Sequence, residues 1–598
     1  MAGMPDTHYT IAPRDPHAHL FEVRCTVRDP APGGQRFRLP VWIPGSYLIR
    51  EFPRQFIEVR AESQGASVAI AKEAKDVWRV DGAAGDVTVV ALVYAFDLSV
   101  RTAYLDATRG YFNGPAVFLC PEGRADARCT LDIVAPEGDA YAHWRVATTL
   151  AAEEGGTRGF GRYHAANYDE LIDHPVEMGE VQEACFTAAD VPHRIALTSR
   201  TRPDLERVAR DLAQVCAWQV DLFGAPAPFD RYLFLVMAVG DGYGGLEHRS
   251  STSLVCRRDE LPLADQTAIS DEYLNFLGLA SHEYFHAWNV KRIKPAAFAP
   301  YDLSRENYTR DLWAYEGVTS YYDDLALVRA GVIEAPRYLE LVGRTATSVL
   351  RTPGRRVQSI ADASFDAWIK FYRQDENGPN AGVSYYAKGA LVALALDLTL
   401  RANGDASLDD VMRKLWKQYG RRGAGVPEGE LERIAVALGG EPVRDLLARC
   451  VHGTDDPPLA PLLEPFGVEV HLRESAGAND RGGKASPGPL PRASLEAKVA
   501  ADMRVQHVYR GGAAERAGLA PGDVLVALDG VRATSETLGA LALRHAAGDR
   551  VRIHAFRRDE MNVVDVTLAQ APHDTCYLTF VADPAKDALA RRKRWLRG

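Results

Sequence analysis

The amino-acid sequence predicts a multidomain α+β protein with a β-rich N-terminal domain, a mainly helical middle domain and a small C-terminal domain. Over residues 1–176, short alternating or apolar runs such as Val87–Phe96 are separated by Gly, Pro and Asp, which is typical of strands joined by turns. Longer patterns with helical periodicity, including Asp204–Phe223 and Ala390–Arg401, lie within residues 177–455, and they favour a helical domain. The 598 residues are enough chain for about three or four domains.

The sequence changes character twice beyond residue 455. A stretch rich in Ser, Gly and Pro at about 474–494 predicts a mobile loop within a small ordered domain of residues 456–575. The last residues, 576–598, contain the basic run Arg591–Arg597. We expect this end to be a solvated tail, with binding to an anionic membrane or to nucleic acid as the alternative.

The composition is that of a large globular protein rather than that of a nucleic-acid-binding or membrane protein. The formal net charge is −10, so no overall positive field favours a nucleic-acid partner. The first residues lack a basic segment leading into an apolar run, and no eighteen successive residues are apolar. The eight cysteines show no Cys-x-x-Cys spacing, which suits reduced thiols. We therefore expect a cytoplasmic protein without a membrane partner.

The motif His282-Glu283-Tyr-Phe-His286 indicates the class of chemistry. Residues four apart share one face of an α-helix, so both imidazoles can bind one Zn²⁺ while Glu283 acts as the base for the metal-activated water. The preceding segment begins with Ser270 and two acidic residues, which indicates the start of a helix. Chance would supply this motif only about 0.03 times in a chain of this composition, so we favour a metal site over a hydrogen-bonded core histidine.

A catalytic zinc normally has a third protein ligand and one open position. Glu316 is the best candidate for this ligand, because it lies 30 residues after His286 in a second segment with a helical pattern. The alternative is that Glu316 is an ordinary acidic residue on a helix surface.

The segments His282–Pro295 and Leu312–Tyr322 closely resemble the glycyl aminopeptidase family, gluzincin zinc metallopeptidases that carry a C-terminal PDZ domain. Trp42–Phe52 and the C-terminal domain extend this resemblance over nearly the whole chain. The resemblance implies a thermolysin-like catalytic domain, one catalytic Zn²⁺ and a metal-ligand role for Glu316.

Two further segments carry candidate site residues. In Asp241–His248, Gly244 and Gly245 would let the backbone approach a substrate closely. Glu247 resembles the acid with which related aminopeptidases bind the α-ammonium group of their substrate. The alternative is a turn that carries a solvated glutamate.

The second segment, Ser384–Asp397, begins with aromatic residues and continues as a strongly apolar helix. Tyr386 resembles the tyrosine that stabilises the oxyanion in similar enzymes, because it occupies the corresponding Tyr-x-Lys-Gly position. A phenol can donate a hydrogen bond to charge that exists only in the transition state. Tyr385 is the competing choice, and packing of Tyr386 against the core is the alternative.

Val505–Gly530 resembles the strand, short helix and turn of a PDZ domain. Such domains commonly bind an extended chain terminus by strand addition. Here the loop that would receive a peptide carboxylate is Leu495–Ala497, and Glu496 in this loop would repel that carboxylate. The domain is therefore expected either to bind the C terminus of a peptide or to pack against the catalytic domain.

These observations predict a zinc-dependent aminopeptidase that acts on peptides with a free N terminus. A preference for small N-terminal residues, Gly or Ala, is implied by the resemblance alone. Two alternatives remain open: a zinc endopeptidase guided by its PDZ domain, and a non-enzymatic peptide-binding scaffold. The oligomeric state is not predicted.

Overall fold

The computed structural model describes residues 6–153 and 156–597. These residues form two compact units, one comprising the described residues up to Asn307 together with Tyr419–Gly425, and the other comprising Tyr308–Gln418 together with the described residues from Val426 onward. The predicted fold class is confirmed: the N-terminal part is β-rich, the middle part is helical and the C-terminal part is PDZ-like. No helix among the described residues is long and apolar enough to cross a lipid bilayer.

The first unit begins with a large sheet that buries one face. Buried and partly exposed residues alternate along Thr7–Asp15 and Leu20–Val27, because successive side chains of a strand point to opposite faces. In spatial order the eight strands are Ala151–Ala152, Gly161–Ala165, Cys129–Ile133, Thr7–Asp15, Leu20–Val27, Val87–Tyr94, Phe56–Ser63 and Ala66–Val68.

Two four-stranded sheets complete the β-rich part of this unit. One contains Arg145–Ala147, Val176–Gly179, Arg109–Phe112 and Ala103–Leu105, and the other contains Cys120–Pro121, Gln35–Arg38, Val77–Val80 and Ile70–Ala74. Their apolar residues share a core with the large sheet. The short helix Tyr168–Ile172 begins at Asn167, whose side chain accepts a hydrogen bond from the Glu170 amide.

A five-stranded sheet carries Glu247, one of the predicted site residues, on its edge strand. Its strands, in spatial order, are Gln182–Ala188, Val191–Thr198, Tyr232–Val239, Ser251–Arg257 and Gly244–Glu247. The central strand Tyr232–Val239 is buried along almost its whole length, as expected for a strand covered on both faces. The edge strand Gly244–Glu247 runs antiparallel to its neighbour. The helices Leu205–Phe223 and Asp271–Phe285 belong to the same unit.

The second unit is mainly helical in its first half. Every residue from Lys388 to Leu400 is buried, so the helix Ala387–Asn403 is surrounded by other elements rather than amphipathic. The α-helices of this half are Val318–Arg329, Ala335–Leu350, Ile360–Phe365, Gly378–Ala381, Ala387–Asn403, Leu408–Gln418, Glu430–Gly439, Glu441–Leu447 and Leu459–Leu463.

The second half contains the PDZ-like region with its own apolar core. Its main sheet has the order Val531–Arg532, Val524–Leu528, Arg550–Arg557 and Glu560–Thr567. Three two-stranded pairs join Val468–Arg473 with Thr575–Phe580, Ala493–Ser494 with Ala569–Gln570, and Ala497–Val499 with Val505–Val508. The helices are Ala513–Arg516, Ser535–Arg544 and Lys586–Leu596.

Glu496 has a structural contact that the sequence did not predict. Its carboxylate accepts a hydrogen bond of 2.9 Å from the Ala513 amide, at the first residue of the short helix Ala513–Arg516. The charge is therefore partly offset by this amide donor.

The prediction of a solvated C-terminal tail is wrong. Residues Lys586–Leu596 form a helix, and Trp595 is fully buried. The indole of Trp595 donates a hydrogen bond to the Tyr321 hydroxyl at 3.2 Å, and its ring packs against Tyr338 and Phe466. The basic residues of this segment lie mostly on the exposed side of the helix. Their charge suggested a solvated segment, although Trp595 and Leu596 at its end are buried.

Replacement of Trp595 by Ala should destabilise the second unit. Removing a fully buried Trp side chain typically costs about 3–5 kcal/mol, and the Tyr321 hydroxyl would also lose a donor. The free energy of unfolding can be measured by urea denaturation. Leu589→Ala is the matched control, because Leu589 is exposed on the same helix. Equal stability of the two variants would contradict the anchoring role of Trp595.

Candidate active site

The helix that carries the His-Glu-x-x-His motif begins at a well-formed cap. The Ser270 hydroxyl accepts a hydrogen bond of 3.1 Å from the Tyr273 amide, and Asp271 and Glu272 occupy the first turn. Both features stabilise a helix start by satisfying free amides and by complementing the helix dipole. The helix covers Asp271–Phe285 and buries Leu274, Leu277 and other apolar residues of its inner face.

The structure places His282 and Glu283 in the last turn of this helix and His286 at its C-terminal cap. The two imidazole rings are neighbours, with their centroids 4.6 Å apart. Nδ1 of His286 lies 2.6 Å from the Asn289 carbonyl oxygen, so Nδ1 carries the proton and donates it to this carbonyl. Nε2 of His286 is then left with the lone pair that a metal ligand needs.

His193 contacts the motif helix through the side chain of Tyr284. Nε2 of His193 lies 2.9 Å from the Tyr284 hydroxyl, and Nδ1 lies 2.8 Å from the Val191 carbonyl. Nδ1 therefore donates to the carbonyl, and Nε2 accepts from the phenol. Burial lowers the pKa of His193 from its ordinary value of 6.5 to about 4, so the ring is neutral at pH 7.

The buried neutral His193 should make the first unit less stable in mild acid. Below its ordinary pKa of 6.5 the unfolded chain binds a proton, whereas the folded protein does not until the pH approaches about 4. Between these values the free energy of unfolding falls as pH falls, by about 2 kcal/mol for this group from pH 6.5 to pH 5. Urea unfolding at pH 7 and pH 5 measures this loss.

Two variants isolate the contribution of His193 to this pH dependence. His193→Gln should lose less stability between the two pH values than the parent protein does. His143→Gln removes an exposed histidine and should leave the pH dependence as in the parent. A pH dependence in His193→Gln equal to that of the parent would show that folding does not lower the pKa of His193.

Glu247 lies at the end of the edge strand Gly244–Glu247 and is almost fully buried. Its Oε1 has no hydrogen-bond partner within the described part of the chain. A β-carbon at Gly245 would overlap the Glu283 carboxylate, so the absence of a side chain there lets the strand approach the motif helix. A carboxylate oxygen of Glu247, a carboxylate oxygen of Glu283 and a ring nitrogen of His286 all lie within 4.8 Å of one another.

A buried polar network next to Glu247 was not predicted from the sequence. Nζ of Lys291 lies 2.6 Å from Oδ1 of Asp173, and Nδ1 of His248 lies 3.4 Å from the same oxygen. Burial opposes ionisation of Asp173, but Lys291 and Arg249 hold its pKa well below the usual range. Asp173 is therefore charged, and it ties His248, the residue after Glu247, to the segment that follows the motif.

Glu316 lies in the second unit, within the π-helical turn Trp313–Gly317 that precedes the helix Val318–Arg329. Its side chain is 2% exposed. A β-carbon at Gly317 would lie 2.6 Å from the Gly389 Cα and 2.7 Å from the Tyr385 carbonyl oxygen. Close backbone contact with the start of the neighbouring helix therefore fixes this turn. Single π-turns within helices are often found at functional sites.

The same unit contains the two tyrosines between which the sequence left a choice. Tyr385 is fully buried, whereas Tyr386 is partly exposed. The Tyr386 ring stacks on Phe371, and its hydroxyl lies 3.4 Å from the Tyr372 hydroxyl. Burial, together with the Glu316 carboxylate, raises the pKa of Tyr386 well above its ordinary value. Its phenol is therefore protonated at pH 7 and available as a donor.

The donors gathered in the first unit suit a borderline metal ion such as zinc. The imidazoles of His282 and His286 are neighbours. The proton of His286 is on Nδ1, which donates to the Asn289 carbonyl, so the lone pair of Nε2 can bind a metal ion. Imidazole and carboxylate donors are the usual ligands of catalytic zinc. The residues therefore fit a zinc ion held by the motif, beside the Glu283 carboxylate.

Three family profiles match this chain. The Peptidase M61 N-terminal domain matches residues 8–180, the M61 glycyl aminopeptidase profile matches residues 275–392, and a PDZ domain matches residues 504–554. No curated protein matches the chain.

Solved structures similar to this protein include an aminopeptidase N family protein and an M1 zinc metallopeptidase. An aminopeptidase N family protein from Idiomarina loihiensis is 41% identical, with a TM-score of 0.94 over 99% of this chain and 100% of that one. An M1 zinc metallopeptidase from Deinococcus radiodurans is 16% identical, with a TM-score of 0.48 over 76% of this chain and 95% of that one.

Proposed function

The chain belongs to the M61 glycyl aminopeptidase family, and we propose that it removes small N-terminal residues, Gly or Ala, from peptides. Membership in this family makes the protein a metallopeptidase and argues against a non-enzymatic scaffold. The cytoplasmic location and the role of the PDZ domain in binding peptide C termini remain predictions.

We propose that His282, His286 and Glu316 bind one catalytic Zn²⁺. The fixed tautomer of His286 and the burial of Glu316 support this ligand set, because both hold a donor atom in place. When bound, zinc supplies Lewis acidity that polarises a carbonyl group and lowers the pKa of water.

Glu283 acts as the general base in this proposal. It removes the proton from the attacking water and delivers it to the amine that leaves when the peptide bond breaks. The burial of Glu283 keeps competing water away from its carboxylate. Proton transfer of this kind typically contributes about 10²–10⁴ to the rate.

The observation that carries the aminopeptidase assignment is the unpartnered oxygen of Glu247. A buried carboxylate oxygen without a donor is costly, and Oε1 of Glu247 lacks one among the described residues. An α-ammonium group would supply both the missing donor and the opposite charge. Because Glu247 lies close to Glu283, binding the amine there would place the first peptide bond near the base.

Tyr386 donates a hydrogen bond to the oxyanion in this mechanism. Its partial exposure favours it over Tyr385, whose hydroxyl is fully enclosed. Its raised pKa keeps the proton on the phenol until negative charge develops on the substrate. A hydrogen bond that forms only in the transition state raises the rate, because it does not also stabilise the enzyme–substrate complex.

The remaining alternative is an endopeptidase guided by the PDZ domain, and matched peptides distinguish it from an aminopeptidase. We expect stepwise loss of Gly or Ala from a peptide with a free N terminus and no cleavage of its N-acetylated counterpart. Acetylation removes the positive charge that Glu247 would bind. Mass spectrometry of the products, with a chelated sample as control, measures both reactions. Internal cleavage regardless of acetylation would contradict the aminopeptidase assignment and support the endopeptidase.

A further inference from the structure

A tight turn from the β-rich part of the first unit lies directly against Glu247. Gly45, in the turn Ile43–Tyr47, has a backbone φ of +92°, a left-handed conformation that favours glycine. A β-carbon at Gly45 would overlap Oε1 of Glu247 and would lie 2.6 Å from Oε2. The backbone of Gly45 therefore forms one wall around both carboxylate oxygens.

Aromatic residues on either side hold this turn in place. The Trp42 indole donates a hydrogen bond of 2.8 Å to the Asp302 carbonyl. The Tyr47 ring stacks on Phe298 with the centroids 5.8 Å apart. Trp42 and Tyr47 are both buried, so the wall cannot move away from Glu247 without breaking these contacts.

The strand that carries Glu247 is held from two further directions. Arg101 donates a hydrogen bond of 3.2 Å to the Gly245 carbonyl. On the other side, Lys291 and His248 share the Asp173 carboxylate. The Glu247 carboxylate and the Gly45 turn are both held in place by these contacts. The distance between the Gly45 backbone and Oε1 of Glu247 is therefore fixed.

We propose that the Gly45 turn, residues 43–47, restricts substrates to those with an unsubstituted primary α-amine. This inference rests on the proposed function. An ammonium nitrogen bonded to Glu247 would lie about 2.8 Å from a carboxylate oxygen, within reach of the Gly45 backbone. N-terminal glycine and alanine present only hydrogens at this nitrogen. An N-methylated residue or an N-terminal proline keeps the positive charge but directs a carbon atom toward the turn, and is rejected by shape.

Two peptides that differ only in the first residue, glycine or N-methylglycine, test this inference on the parent protein loaded with zinc. Both carry a positive charge at pH 7, so a difference reports the space around the nitrogen. We expect kcat/KM to be at least about tenfold lower for the N-methylglycyl peptide, the effect typical of one excess carbon in a fitted site. Equal values for the two peptides would overturn the inference while leaving the aminopeptidase assignment intact. Failure to hydrolyse the glycyl peptide would overturn both.

Two glycine variants test the wall itself. In Gly45→Ala the new methyl group should displace the Glu247 carboxylate and raise KM for the glycyl peptide at least about tenfold, with a smaller change in kcat. Gly65→Ala is the matched control, because Gly65 has a similar φ of +80° but no atom within 4 Å of an added β-carbon. Equal kinetics of the two variants would contradict the role of Gly45.

The double variant with Glu247→Gln shows whether Gly45 acts through Glu247. If it does, Gly45→Ala should add little to the loss already caused by Glu247→Gln, because residues that share one function give non-additive effects. Losses that multiply would show that Gly45 acts elsewhere. Should Gly45→Ala not fold, the comparison of glycyl and N-methylglycyl peptides on the parent protein decides the question.

Discussion

Glu283→Gln should hydrolyse a glycyl peptide about 10³-fold more slowly than the parent protein, within the range expected for loss of a general base. The amide has nearly the same shape as the carboxylate but cannot accept a proton from water at neutral pH. His282 and His286 are unchanged in this variant, so we expect it to retain its metal. Steady-state kinetics and elemental analysis of the purified protein measure the two properties separately.

Glu272→Gln provides the matched control, because Glu272 lies exposed in the first turn of the same helix. This change should leave both turnover and metal content as in the parent. Loss of metal from Glu283→Gln would indicate that Glu283 is a ligand, and parental turnover in that variant would show that another group is the base.

Removing the metal should abolish hydrolysis, and adding zinc should restore it. Loss of the Lewis acid removes several kcal/mol of transition-state stabilisation, which corresponds to a rate decrease on the order of 10³-fold or more. We expect His286→Ala to show the same loss together with reduced metal content, because the two remaining proposed ligands, His282 and Glu316, would hold the ion less tightly than three.

His17→Ala is the control for this experiment, since His17 is exposed in the same unit. It should bind metal and hydrolyse peptides like the parent. Full activity after exhaustive chelation, or full metal content in His286→Ala, would contradict the metal-dependent mechanism.

Local sequence patterns predicted the elements of the first unit well. The helix Leu205–Phe223 occurs where the helical pattern of residues 204–223 indicated, because its signal is continuous over its whole length. The start of the motif helix was also predictable, since the Ser270 cap is a local feature. The spacing of His282, Glu283 and His286, together with this cap, predicted that the motif lies on one helix, whereas the end of that helix at Phe285 was not predicted.

Features that depend on contacts between distant residues could not be predicted. Asp173 carries no motif, and only its contact with Lys291 shows that it belongs to the network beside Glu247. The π-turn at Glu316 depends on the approach of Gly317 to Gly389, which a single sequence does not show. The anchoring role of Trp595 was missed because neighbouring basic residues dominated the pattern.

The most direct test of the account is to locate the metal in crystals of the zinc-loaded protein by anomalous diffraction at the zinc absorption edge. We predict one strong peak within about 2.0–2.2 Å of a ring nitrogen of His282, a ring nitrogen of His286 and a carboxylate oxygen of Glu316, with Glu283 outside the ligand set. A peak bound instead by Glu247 and Glu283, or no peak near His282 and His286, would contradict the proposed metal centre and the roles derived from it.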